Sequence, residues 1–403
     1  MNVDQFRFQF PSLRQKHGES DVIYLDGPAG TQVPYQVIEA ISHYYQHYNA
    51  NTHGFFASSL ATDDILDRTR FKVAALLGAD GAHCISFGQN MTTLNFSLSK
   101  ALVRTMEPGD EIVISALDHE ANRGPWITLK EQGIVIREIN LLDNGTLDYD
   151  DFESKLNSRT KLVCVGYASN IFGTVNDVQR ISRGCKEVGA RFLIDAVHYA
   201  PHFKINVQQL DCDFLLCSAY KFYGPHVGLL YSRPGLLDEL TTDQLRTQST
   251  KAPYKIETGT LNHAAIAGVE AAIDFLARYG IGQDLEAKLT HSMQQIHIHE
   301  IKVFKHLYEG LLSMDGVKIY GPPAEAAHRA PTLSFSLRGK TPQDVCKHLG
   351  SHGICAWDGH FYAIRSMEVF DLLKQGGVTR MGIVGYNTLD EVDHTLNVLA
   401  ELL

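Results

Sequence analysis

Short apolar runs, bounded by polar or glycine-rich segments and followed by stretches of helical spacing, recur through the first two-thirds of the chain. CISFG (84–88), EIVIS (111–115), IVIREI (134–139), KLVCVG (161–166), FLI (192–194) and FLLC (214–217) are such runs, and they read as buried strands. Their alternation with helical segments through residue 235 predicts a mainly parallel α/β sheet. Earlier, VIYLDGPAGTQVP (22–34) is a short strand closed by a Gly/Pro turn, and a helix starts at Tyr35. Residues 49–59 are a small, polar loop leading to a helix near 60–77. Regular patterning lapses over residues 241–260. Two long helical patterns follow, near 262–279 and 284–313, and then the strands VKIYG and TLSFSL alternate with helices to the end. The expected division is a large domain over 20–265 and a smaller α+β domain formed by 1–19 and 266–403.

Composition narrows the function. At 403 residues the chain can build more than one core, and 44% hydrophobic with 20% charged residues is an ordinary globular balance. The formal net charge of −10 and the lack of a dense basic cluster argue against a nucleic-acid partner. Seven cysteines without a CxxC pair fit a reducing cytoplasm and supply no metal site. Neither a signal segment nor a run of membrane-spanning length is present, so a cytoplasmic location without membrane insertion is expected.

Candidate chemistry concentrates in RFLIDAVHYAPHFKINVQQLDCDFLLCSAYKFY, residues 191–223. Ligands of open α/β sheets gather beyond the carboxyl ends of strands, so Asp195 and Lys221 are expected to face one crevice. An amine that can form a Schiff base and a carboxylate that can keep a pyridine nitrogen protonated point to pyridoxal phosphate. Read singly, they would be a helix N-cap and a solvated lysine. Ser218 and Tyr220 flank the lysine as phosphate donors, and His198 is placed to donate to the cofactor's phenolic oxygen or to substrate.

Other segments add to the same site. Asn90, Met91 and Thr92 open a helix whose free N–H groups can cradle a phosphate, although an Asn there also simply caps the helix. His119 follows the strand EIVIS and can stack on a flat ring, although a lone histidine is more often structural. Asn170 ends the strand KLVCVG and its extension. Thr260, in ETGTLNH, is a further phosphate donor, and His53 in the 49–59 loop is a substrate contact. Arg365 and Arg380 can each grip a carboxylate, with a surface role the more common one for Arg365.

Nearly the whole chain resembles class V aminotransferase-fold enzymes, most closely the cysteine desulfurase-like branch that includes Suf-type desulfurases and isopenicillin N epimerase-like proteins. The resemblance rests on YLDGPAGTQVP, DHEAN (118–122), SNIFGTVNDV (169–178), DCDFLLCSAYKFYGPHVGLLY (211–231), ETGTLN (257–262) and YNTLDEVD (386–393). It implies fold type I of the pyridoxal-phosphate transferases, with a large, mainly parallel seven-stranded sheet and a smaller α+β C-terminal domain. It also implies Lys221 as the Schiff-base lysine, Asp195 at the pyridinium nitrogen and His119 stacked on the ring. Asn90, the Met91 backbone, Ser218 and Tyr220 match phosphate-binding positions, with Tyr220 replacing the usual histidine, while His198 and Asn170 match positions near the phenolic oxygen. Arg380 matches the arginine that holds the α-carboxylate of an amino acid. The Thr260 loop implies a homodimer with shared sites.

One segment departs from the Suf-type pattern. In GICAWDGHFYAIRS, Trp357 stands where a basic residue is expected and Tyr362 where the catalytic cysteine is. A phenol cannot carry a persulfide, and Cys355, in an expected strand, is read as a core residue. Trp357, Phe361 and Tyr362 instead suggest an aromatic wall favouring a larger or apolar side chain. The expected function is pyridoxal-phosphate chemistry on the amino group of an amino acid or related amine. The alternatives are a true desulfurase or C–S lyase, an epimerase, or a cofactor-binding protein without turnover.

Overall fold

The computed structural model describes residues 1–326 and 329–403. Seven strands form its main sheet: β1 (Ile85–Gly88), β2 (Glu111–Ser115), β3 (Val135–Ile139), β4 (Thr160–Gly166), β5 (Arg191–Asp195), β6 (Phe214–Ser218) and β7 (Gly228–Ser232). The spatial order is β1-β7-β6-β5-β4-β2-β3. Every neighbouring pair is parallel except those of β7, which runs antiparallel to both β6 and β1. This is the large, mainly parallel sheet of the expected fold class.

The uniform apolarity of the strands follows from burial on both faces. Phe192, Ile194, Leu215 and Cys217 enter one core cluster, while their alternating neighbours Leu193, Phe214 and Leu216 enter the other. A strand with one wet face would have shown an alternating pattern instead.

A four-stranded antiparallel sheet forms the C-terminal part: β8 (Val317–Tyr320), β9 (Thr332–Leu337), β10 (Trp357–Gly359) and β11 (Val378–Gly382), in the order β8-β9-β11-β10. The short strand expected before the Gly/Pro turn spans Ile23–Tyr24 and pairs with Ile354–Cys355, so it joins this part of the chain and not the main sheet.

The helices α1 (Tyr35–His47) and α2 (Ala57–Leu77) pack against α4 (His263–Arg278), while α3 (Met91–Val103) leads out of β1. Phe6 and Phe10 meet Phe275 of α4 and Tyr223 at ring separations of 5.1 to 5.7 Å. Contacts therefore run across the division expected at residue 265.

Strand β1 lies at one edge of the sheet, where unpaired backbone groups invite non-native pairing. A buried ion pair covers this edge. Arg70 of α2 bonds Glu257 through two nitrogens at 2.7 and 2.8 Å and also donates to Ile85 O at 2.6 Å. Glu257 in turn accepts the Phe87 N–H at 2.6 Å. Removing one partner strands a buried charge, so Arg70→Met or Glu257→Leu alone is expected to cost about 3–5 kcal/mol. The double variant should lose no more than the worse single, as measured by urea unfolding. Strict additivity would show that the pair does not act as a unit.

Candidate active site

Because the strands β1 and β2 and β4 to β6 point the same way, the loops at their carboxyl ends converge. With β10 and β11 they enclose a cavity of about 680 Å³. Lys221 leaves β6 through the turn Ala219–Lys221 and is 7% exposed. Its Nζ donates to the carbonyl oxygens of Pro28 and, at 3.0 Å, Ala29. The Gly/Pro turn after Ile23–Tyr24 thus forms the wall behind the amine.

Asp195 ends β5, directly beside β6, and its Oδ1 accepts the Val197 N–H at 2.9 Å. Burial pushes its carboxyl up to about 7, and the nearby Asp118 adds to the rise, while the Val197 hydrogen bond and Lys221 oppose it. Burial likewise brings the Lys221 amine down to about 7, with Arg380 acting in the same direction and Asp195 and Asp26 against it. Much of the amine is therefore a free base at neutral pH.

His119 lines the cavity after β2. Its Nδ1 accepts the Ala121 N–H at 3.0 Å, which leaves the proton of the neutral ring on Nε2. Burial, then Lys221 and Arg380, pulls its pKa down to about 4, so the ring is uncharged at neutral pH. His198 is also buried against the cavity, with Nε2 3.0 Å from Thr332 Oγ1 and Nδ1 lacking a protein partner. Burial, then His202, Lys221 and Arg380, holds it neutral.

The amino end of α3 forms the floor of a second recess. Asn90 caps the helix by accepting the Thr93 N–H at 2.9 Å, and the Met91 N–H donates to Ser218 Oγ at 3.0 Å. Capping and site-lining roles thus coexist, since Asn90, Met91, Thr92 and Ser218 all line the cavity. A side chain at Gly228 would overlap the Asn90 carbonyl, so only glycine lets β7 approach this helix end. Tyr220 stacks on His226 at 4.7 Å and 7°, and its carbonyl accepts the Thr31 N–H at 3.1 Å.

Arg380 reaches the cavity from β11, 4% exposed, with its guanidinium 4.0 Å from the Phe361 ring centroid. Its Nη1 donates to Asn170 O at 3.0 Å, and Asn170 Nδ2 donates to Phe361 O at 3.0 Å. Trp357 and Tyr362 stand at the rim. Arg365 pairs with Glu138 at 2.8 Å and Glu368 at 2.9 Å, away from the cavity lining.

His53 and Thr260 are exposed and do not line this cavity in the single chain. His53 lies 3.2 Å from Asp63, while the segment before Thr260 is anchored to α2 through Glu257 and Arg70. Sequence reasoning missed the Pro28 and Ala29 carbonyls and the buried Asp118, which accepts the Gly166 N–H at 2.8 Å and Asn122 Nδ2 at 3.0 Å. It also missed the buried pair His202–Glu300, 2.9 Å apart, for which the His198–His202 spacing was the available signal.

The donor set fits pyridoxal phosphate. A buried amine displaced towards neutrality, a carboxyl group with one oxygen left over, an uncharged ring and a helix amino end surround one cavity.

The sequence matches the Aminotransferase class-V family over residues 23–395. A probable cysteine desulfurase of Synechocystis sp. is 30% identical over 98% of this chain and 94% of its own length. The apo structure of a cysteine desulfurase from Thermococcus onnurineus NA1 superposes with a TM-score of 0.89 at 29% identity, covering 99% of this chain and 97% of the other. The cysteine desulfurase CsdA (S-sulfonic acid) from Escherichia coli gives 0.86 at 27%, covering 100% and 99%. The chain belongs to the class V aminotransferase family, whose members are pyridoxal-phosphate enzymes.

The buried acid and amine make the cofactor-free protein pH-sensitive. Between about 3.9, the unfolded Asp value, and about 7, folded Asp195 holds a proton that the unfolded chain has lost, so its contribution to stability falls as pH rises. From about 7 to about 10.4, the unfolded lysine holds the proton that folded Lys221 has lost, and stability rises with pH. Relative to an Asp195→Asn/Lys221→Met double variant, the cofactor-free protein should show a dip in unfolding free energy near pH 7. Urea titrations at pH 5, 7 and 9 check this, and parallel profiles would contradict it.

Proposed function

We propose that this class V aminotransferase acts on the amino group of an α-amino acid or related amine carboxylate through Lys221, and that it transfers no sulfur by way of a cysteine. The observation that carries this reading is the buried Lys221 amine, displaced towards neutrality, sharing one cavity with Asp195 and Arg380. Lys221 would hold pyridoxal phosphate, which when bound would supply an electron sink for reaction at the substrate Cα.

The chain's own groups then divide the work. Asp195 would hold the proton on the cofactor's pyridine nitrogen, and His119 would offer its uncharged face to the ring. Asn90, the Met91 amide, Ser218 and Tyr220 hold the phosphate, with the α3 amino end contributing its dipole. His198 and Asn170, which line the same cavity, would meet the phenolic oxygen. Arg380 takes the substrate carboxylate, its guanidinium oriented by Asn170 O. Lys221 Nζ, once free, moves a proton to or from the substrate Cα. We further propose a cytoplasmic homodimer in which the exposed Thr260 and His53 complete the neighbouring subunit's site.

The absence of a sulfur-carrying thiol is supported by the cavity lining. Tyr362 occupies the position matched to the Suf-type cysteine, and among the described residues no cysteine lines the cavity. Cys355 is half-buried, and burial, then Asp26, raises its thiol to about 11, far from the thiolate that sulfur transfer needs. The relatives' names favour the competing reading of a true desulfurase, which requires sulfide release from cysteine.

Two experiments separate these readings. With cysteine and a reductant, the holoenzyme should release no sulfide above background; release that is lost in Cys355→Ser would establish desulfuration. Lys221→Ala should fold and yet retain no cofactor after borohydride reduction and mass analysis, whereas Asp195→Ala should retain it while turnover falls about 10²–10³-fold, the scale of a lost electrostatic partner. Near-normal rates in Asp195→Ala would remove its assignment.

A further inference from the structure

Resting on the amino-group reading above, we infer that the site takes amino acids with neutral, apolar side chains, aromatic ones in particular, and rejects dicarboxylic ones. The first observation is the charge inventory of the cavity. Among the described residues its lining holds two lysine or arginine side chains, Lys221 and Arg380. Lys221 is committed to holding the cofactor, and the substrate's α-carboxylate engages Arg380. No cation is left for a second carboxylate, and Glu120 shares the lining. His119 and His198 do not make up the deficit, because burial keeps both uncharged.

The second observation is the turn that carries the aromatic rings. Phe361 and Tyr362 have φ of +51° and +57°, two successive bulky residues in the left-handed region that side-chain-bearing residues avoid. The surroundings impose this conformation. Asn170 Nδ2 holds the Phe361 carbonyl at 3.0 Å, and the Glu120 N–H holds the Tyr362 carbonyl at 2.7 Å. The clamped turn sets the Phe361 ring against the Arg380 guanidinium and the Tyr362 ring 5.4 Å from that of His119.

Beside them Trp357 is 52%, Tyr362 65% and Phe96 40% exposed, all at the cavity. A substrate whose carboxylate is held at Arg380 would bring its side chain against these rings and remove their apolar surface from water. A small or acidic side chain would leave that surface wet. The strained turn therefore selects for size and apolarity, and the missing cation selects against a second charge.

The test uses the holoenzyme and carboxylic acids that lack an amino group, so that binding is read without reaction. Of the two tryptophans, Trp126 is fully buried and Trp357 lines the cavity, so fluorescence quenching together with calorimetry reports occupancy. 3-Phenylpropionate should bind at least about tenfold more tightly than propionate, the effect of burying a ring's apolar surface. Glutarate should bind no more tightly than propionate. Tyr362→Ala and, independently, Trp357→Ala should shrink the phenylpropionate advantage and leave propionate unchanged, whereas Arg380→Ala should weaken all three acids.

Glutarate binding as tightly as phenylpropionate, or a phenylpropionate advantage untouched in both aromatic variants, would overturn the inference. A separate readout isolates the reading beneath it. If L-phenylalanine and L-leucine leave the cofactor absorbance unchanged while the acids keep this order, the amino-group reading fails and the side-chain preference survives. If the acids do not rank in this way, the preference fails whatever the absorbance does.

Discussion

Two opposite ionisable groups are buried side by side at the ends of adjacent strands, and much of the surrounding structure answers to the cost of keeping them there. Charge transferred from water into a protein interior must be paired, bonded or neutralised. Here Asp195 and Lys221 move towards neutrality, and each finds a backbone partner, Val197 N–H for the acid and the Pro28 and Ala29 carbonyls for the amine. Those carbonyls come from the segment that has just paired with Ile354–Cys355. The reactive amine of the main sheet is therefore positioned by a turn belonging to the C-terminal part of the fold.

The antiparallel strand β7 is the second half of this arrangement. By returning between β6 and β1, it lets the amino end of α3 and the end of β6 meet over Gly228, where Ser218 bonds the Met91 amide. A wholly parallel continuation would have needed a crossover helix at this point and would have separated the two. The meeting of helix end and strand end in this cavity is thus a consequence of strand order as much as of residue type.

The small sheet supplies what the main sheet lacks, a fixed cation and an aromatic rim. Arg380 comes from β11 and the rings from the turn after β10, and Asn170 at the end of the main-sheet loop bonds to both. This shared residue ties the position of the guanidinium to the shape of the rim.

The sequence by itself determined the layer architecture, because strands buried on both faces must be apolar throughout, and runs such as FLLC and EIVIS admit no other soluble solution. It also marked Asp195, His198, Ser218, Lys221 and Arg380, since strand-end polar residues beside apolar runs are conspicuous by type and place. What it left open depends on pairing between distant segments. Neither the Pro28 and Ala29 carbonyls nor the Asn170 clamp on Phe361 has a local signature, because a backbone acceptor looks the same in every residue and its partner lies far away in the chain. The exposed positions of His53 and Thr260, apart from the cavity of their own chain, were equally invisible. Periodicity encodes which face of an element is buried, but only tertiary packing decides which element buries it and whose carbonyl meets whose amine.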